Sequence, residues 1–210
     1  MNHIFDFFLE PYQGTATQYI ILEAIAFVFG IASVWYATNE NILVYPTGLV
    51  ATTITVFLLY RAGYMGDMVM NFYYSVMSIF GWWNWARKKD GTTAVPISRT
   101  STKEKIIGIG MFLVTILVTF LVYMIFDSAM EAVNYIDIFT SGLFFTAMWY
   151  MANKKIENWT LWIIGNIITV PLYAYRGLGM LSLQYVIFTI LAIQGYISWK
   201  KSISEMRITS

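Results

Sequence analysis

Seven apolar stretches dominate the chain, at about 19–38, 42–60, 67–86, 105–126, 132–152, 157–175 and 180–199, with polar breaks between them. Each approaches the roughly 20 residues a helix needs to cross the hydrocarbon core of a bilayer. Ala, Leu, Ile and Met are abundant and strict apolar/polar alternation is absent, so the pattern predicts helices rather than a barrel. The short breaks are Asn39-Glu40-Asn41, Gly63 with Gly66-Asp67, and Asn153-Lys154-Lys155. One longer connection runs from Arg87 to Lys105 and holds Asp90-Gly91 and Pro96.

The pattern repeats at an offset of 114 residues: Trp35, Tyr36 and Asn39 recur as Trp149, Tyr150 and Asn153. Gly63 recurs as Gly177, Gly81 as Gly195, Trp85 as Trp199, and the acid Glu23 has a counterpart in Asp137. No gap is needed from Glu23 to Trp85, so the chain is a duplicated membrane unit, the sequence mark of a transporter with its cargo site between the copies. Three helices, one linking helix and three helices leave the second triplet entering from the same side as the first. The fold class is therefore an all-α integral membrane protein whose repeats are parallel. The layout reads 1–18 as an extracytoplasmic segment, 19–86 as the first repeat, 87–131 as a cytoplasmic loop and linking helix, 132–201 as the second repeat, and 202–210 as a cytoplasmic tail.

Composition agrees: 58% of residues are apolar and 12% charged, about half the charge of a soluble domain. The 18% aromatic content suits interfacial belts or a ring-lined pocket. Without Cys there are no disulfides and no thiolate metal sites. The one His, His3, lies in the N-terminal segment, and neither a metal nor a cofactor is expected. The N-terminus opens on His3, Asp6 and Glu10, so a cleavable signal peptide is not evident. With the N-terminus outside, Arg87, Lys88, Lys89, Arg99, Lys103, Lys105, Lys154, Lys155, Lys200, Lys201 and Arg207 fall inside and only Arg61 and Arg176 outside. That asymmetry sets the expected topology.

On the sixth helix Trp159, Trp162, Asn166, Thr169 and Tyr173 share one face, with Pro171 inside the helix. The equivalent face of the second helix is Tyr45, Gly48, Thr52, Thr55 and Leu59. For the Thr residues interhelical packing is the plainer expectation; for Asn166, a cargo contact. Asn71, Tyr74 and Ser78 share a face of the third helix, and Gln184 and Phe188 one of the seventh; Asn71 and Gln184 serve cargo or a neighbouring helix. Gln194 points about 80° away from Gln184. Trp85 and Trp199 read as anchors at the interface, and Gly81 and Gly195 as points of close helix approach. Glu23 and Asp137, near the outer ends, read as interfacial or hydrogen-bonded to a neighbour; if buried, either could relay a proton or attract a cation. There is no phosphate-binding loop. No Lys or Arg sits mid-span to meet a phosphate. The expected cargo is uncharged or cationic and partly planar, with Trp and Tyr faces for a cationic ring and amides for hydroxyls or a carboxamide. The spans hold no His and no paired carboxylates at catalytic spacing, so an enzyme is not expected, nor is a nucleic-acid partner.

Residues 149–201 resemble the C-terminal signature of the PnuC vitamin transporters: Lys155-Ile156-Glu157-Asn158-Trp159-x-x-Trp162 with Asn166, then Leu172-Tyr173, Gly177-Leu178 and Gly195-Tyr196-x-x-Trp199. The first repeat joins in through Asn71-Phe72-Tyr73-Tyr74 and Gly81-Trp82-Trp83-Asn84-Trp85. The resemblance implies a SWEET-like arrangement of three, one and three helices. It also implies facilitated diffusion of nicotinamide riboside, trapping by cytoplasmic phosphorylation, a homotrimer, and a bacterial inner membrane. By position it implies a pocket of Trp162 and Asn166, then Asn71, with Trp159, Tyr74 and Gln184 as extensions. Thiamine and deoxynucleosides, carried by relatives, stay open as cargo.

Overall fold

The computed structural model describes residues 13–62, 65–89, 92–126, 130–175 and 179–209. His3, Asp6, Glu10, Gly63, Asp90, Gly91, Asp127, Arg176, Gly177 and Leu178 lie outside these, as do the side chains of Asp67 and Arg207. Seven long helices occur among the described residues: α1 (Thr17–Thr38), α2 (Val44–Ala62), α3 (Met65–Ala86), α4 (Thr102–Phe126), α5 (Ala132–Ala152), α6 (Glu157–Tyr175) and α7 (Gly179–Thr209). They match the apolar stretches closely except at the end of α7. There the helix continues through the segment expected to be a tail. Residues 200–209 contain no Gly or Pro, and a Lys201–Glu205 pair at 3.8 Å supports the exposed helix. In the long connection, β1 (Lys88–Lys89) pairs antiparallel with β2 (Thr92–Thr93).

Six helices form a closed ring in the order α1, α2, α3, α5, α6, α7 and back to α1; α4 stands outside it against α5. The two seams between repeats, α1 on α7 and α5 on α3, are the same seam seen twice. Bonds across the seams show the directions. Trp199 Nε1 donates to the Ala37 carbonyl at 3.0 Å, so α1 and the apolar part of α7 finish at one end. Asn84 Nδ2 donates to the Ala152 carbonyl at 2.9 Å, so α3 and α5 finish there too. The repeats are therefore parallel, as the odd number of helices between them requires.

That shared end is sealed by four rings. Tyr45 meets Trp85 edge-on at 5.1 Å, and Trp159 meets Trp199 edge-on at 5.4 Å, each pair within one repeat. Trp85 and Trp199 then approach across the seam at 6.0 Å. The four are 0–6% exposed. Trp85 and Trp199 are thus not interfacial anchors but the centre of a plug. Gly81 and Gly195 make it possible: the Tyr45 ring lies where a side chain on Gly81 would project, and a Cβ on Gly195 would stand 2.5 Å from Trp159 Cζ2. Gly195→Ala is expected to destabilise the protein by about 1–3 kcal/mol through overpacking, read as a lower melting temperature in detergent. An unchanged melting temperature would mean the Trp159 ring moves aside freely.

The long connection is strapped to the α5–α6 loop. Ser98 N donates to Lys154 O, and Ile156 N donates to Ser98 O, both at 3.0 Å. Thr100 N donates to the Glu157 carboxylate at 2.9 Å. Ser101 and Glu104 close a reciprocal cap at the start of α4, and Lys155 Nζ sits 2.8 Å from Glu104 Oε1. Partial burial opposes the Glu104 charge. The bonds from Lys155 and Ser101 and the Lys155 charge outweigh it, holding the carboxyl down at about 2.

Candidate cargo cavity between the repeats

Beyond the plug lies a cavity of about 1960 Å³, lined by all six ring helices and also by α4 from Gly110 to Tyr123. All five α6 positions that the helical spacing aligns, Trp159, Trp162, Asn166, Thr169 and Tyr173, line it. So do all five equivalents on α2, from Tyr45 to Leu59, as well as Asn71, Tyr74 and Ser78 of α3 and Gln184 and Phe188 of α7. Gln194 is exposed on the outer face of α7. The six residues singled out from the sequence thus border one space. Trp159 forms its floor, where it belongs equally to the plug.

The hydroxyls are mostly spoken for. Thr55 donates to Ala51 O at 2.9 Å and Thr169 to Gly165 O at 2.8 Å, each within its own helix. Ser75 Oγ donates to Thr52 Oγ1 at 2.8 Å, tying α3 to α2. Asn166 differs. It is 1% exposed, and its Oδ1 has no hydrogen-bond partner among the described residues. A buried amide oxygen left that way costs free energy unless something else bonds it.

Trp162 stands in an aromatic wall that the sequence did not reveal. Phe144 stacks on it at 5.2 Å and 25°, and Tyr74 tilts toward it at 6.2 Å. Phe144 also neighbours Tyr185, which meets Tyr173 at 5.3 Å. Behind them Tyr73 stacks on Phe145 at 3.6 Å and donates its hydroxyl to the Phe145 carbonyl. Gly165 leaves the room Phe144 occupies. Aligning the repeats shows how the wall arose: Trp162 corresponds to Gly48, Phe144 to Gly30 and Asn166 to Thr52. The second repeat supplies rings where the first supplies space. At Gly30 that space is taken up by Gln184, whose Nε2 would stand 3.2 Å from an added Cβ. Ring-against-glycine mismatches between aligned repeats are the signal that could have found Phe144.

Glu23 and Asp137 both border the cavity, on the side away from the plug, and Tyr123 donates to the Asp137 carboxylate at 3.2 Å. Among the described residues lining the space there are these two carboxylates and no Lys, Arg or His. The chamber is therefore aromatic, amide-bearing and negative. Such a chamber favours a cationic ring and disfavours an anion.

The architecture matches a solved structure described as the crystal structure of the vitamin B3 transporter PnuC, with a TM-score of 0.69, 23% identity, and coverage of 88% of this chain and 82% of that one. The nicotinamide riboside transporter PnuC of Escherichia coli is 24% identical over 207 residues, covering 88% of this chain and 87% of that protein. The nicotinamide riboside transporter PnuC of Neisseria mucosa is 24% identical over 196 residues, covering 88% and 73%. A family model described as nicotinamide mononucleotide transporter matches residues 20–201. Nearly the whole duplicated unit falls within that match, and the chain accordingly belongs to the nicotinamide mononucleotide transporter family, whose members are membrane carriers and not enzymes.

Proposed function

We propose that this protein carries nicotinamide riboside across a bacterial cytoplasmic membrane by facilitated diffusion, through the cavity between its repeats. The observation that carries this reading is the pairing of Trp162 with Asn166 in a chamber bordered, among the described residues, by two carboxylates and no cationic side chain. The cargo is a pyridinium cation with a carboxamide and ribose hydroxyls. Its ring stacks on Trp162, and Asn166 and Asn71 bond its polar groups, with Tyr74, Gln184 and Trp159 completing the enclosure. Nicotinamide mononucleotide adds a phosphate that finds no Arg or Lys among the described lining residues, and desolvating it unpaired is costly. This favours the riboside named for the bacterial relatives. The carrier works as a homotrimer with its N-terminus outside and the plugged end in the cytoplasm, where phosphorylation retains the cargo. The crowding of Lys and Arg toward that end supports the orientation.

Purified protein in liposomes should equilibrate labelled nicotinamide riboside without ATP or an ion gradient, and should leave the mononucleotide outside. A need for either energy source, or equal uptake of the mononucleotide, would reject the reading. Thiamine is also a cationic aromatic, so competition between the two vitamins decides the cargo within the class, and deoxynucleosides enter the same panel. Neutralising the entrance with Glu23→Gln and Asp137→Asn should raise KM for the cation several-fold at low salt and flatten its dependence on ionic strength. A KM that keeps its salt dependence would remove both acids from cargo selection.

A further inference from the structure

Glu40 and Lys154 are equivalent positions of the two repeats, 114 residues apart, and they touch: Lys154 Nζ lies 2.6 Å from Glu40 Oε1. Equivalent positions that contact one another straddle the axis relating the copies. Their loops share one geometry. Asn39 and Asn153 each return a side-chain bond at 2.9 Å, to Trp35 O and Trp149 O. Asn41 N and Lys155 N bond Tyr36 O and Tyr150 O, both at 2.9 Å. Between them Glu40 and Lys154 adopt φ of 53° and 50°. Glycine, or sometimes asparagine, normally holds that place at a helix end, because longer side chains are strained there. Two long charged side chains held in that conformation point to a use for the side chains themselves. Lys154 is 3% exposed, with its ammonium 4.7 Å from the centre of the Trp85 ring. The neighbouring cations are engaged elsewhere: Lys155 with Glu104 and Ser98, Arg87 with Asn84 and the Trp83 ring.

Building on the transport reading, we propose that the Glu40–Lys154 pair is the latch of a gate whose bolt is the four-ring plug. Its release opens the cavity at the plugged end. Among the described contacts, the pair, Lys154 over the Trp85 ring, and the bonds from Trp199 to Ala37 O and from Asn84 to Ala152 O join the repeats here. Opposing them, Tyr45 Oη, Trp85 Nε1 and Trp159 Nε1 are buried with no hydrogen-bond partner among the described residues. Trp85 and Trp199 are equivalent residues, yet only Trp199 donates across the seam. Opening admits water to all three orphaned groups, so parting the repeats gains hydrogen bonds as it breaks others. A carrier needs two states close enough in free energy for cargo to shift between them, and this balance supplies that. The strap from Ser98 to Lys154 and Ile156 makes the long connection and α4 travel with the second repeat.

The chain has no cysteine, so a single reporter is clean. Ser78 is 4% exposed, borders the cavity and lies about two helical turns from Trp85. With Ser78→Cys in membrane vesicles, an impermeant maleimide applied at the plugged end should label slowly. Adding Glu40→Gln, or Lys154→Gln, should speed labelling at least about tenfold, since close charge pairs couple at that level or more. Exchanging the charges, Glu40→Lys with Lys154→Glu, should bring the rate back to within about threefold of the parent. Single variants that label at the parent rate, or an exchange as leaky as the singles, would overturn the latch. Uptake measured on the same vesicles keeps the two proposals apart. Latch-dependent labelling without nicotinamide riboside uptake removes the cargo and keeps the latch; the reverse keeps the cargo and removes the latch.

Discussion

Trp162→Ala is expected to weaken nicotinamide riboside binding by about 1–3 kcal/mol, the range for losing one stacked ring, or about 5- to 150-fold in Kd. The ring is half-buried, with one neighbour, Phe144, stacked on it and another, Tyr74, tilted toward it. Removing it should cost less stability than truncating a plug residue such as Trp159, which is 1% exposed. The signature is therefore an affinity loss out of proportion to any loss of melting temperature. Trp162→Phe should recover part of the affinity, because a smaller ring still stacks. Titration calorimetry of the purified carrier checks both. An affinity unchanged in the alanine variant would take Trp162 out of the pocket and leave the aromatic wall as packing.

Asn166→Leu should separate stability from binding. The Asn166 Oδ1 is buried with no hydrogen-bond partner among the described residues, a condition that costs about 1–3 kcal/mol. Leucine is of similar size and brings no polar atom, so the cargo-free variant should melt at or above the parent temperature. The rise in melting temperature on adding nicotinamide riboside should vanish, because that rise measures binding to the native state. A variant that melts lower and still responds to cargo would show that Asn166 is a structural amide. Together the two substitutions distinguish a site built for a ligand from a core that happens to contain rings and an amide.

Much of the arrangement was legible beforehand because the bilayer restricts it. Spans of a set length, a repeat without gaps and an odd number of helices between copies leave few topologies open. The polar faces of α2, α3, α6 and α7 were legible for the same reason. An amide or hydroxyl in a span must find protein or cargo, since lipid offers it nothing. Trp159, Trp162, Asn166, Asn71, Tyr74 and Gln184, grouped by the family resemblance, border one cavity. The apolar residues were a different matter. In water a ring's inward direction is marked by polar residues on the opposite face; in lipid both faces of a helix are apolar, and periodicity loses its meaning. Trp85 and Trp199 near helix ends read as interfacial anchors, whereas their seams turn them into the plug. Phe144 was marked only by the glycine at its equivalent position, Gly30, and Tyr185 carried no mark in the helical pattern.

By itself the sequence determined that the protein is a duplicated helical membrane carrier, that polar faces run along several of its helices, and that no cation waits mid-span for a phosphate. Each follows from what hydrocarbon will not solvate. Only the tertiary structure decided the closed order of the six helices, the ring-against-glycine wall, the plug, and the contact of Glu40 with Lys154. Those depend on which helix stands beside which. Contacts between residues more than a hundred positions apart leave no trace in the local pattern of either segment.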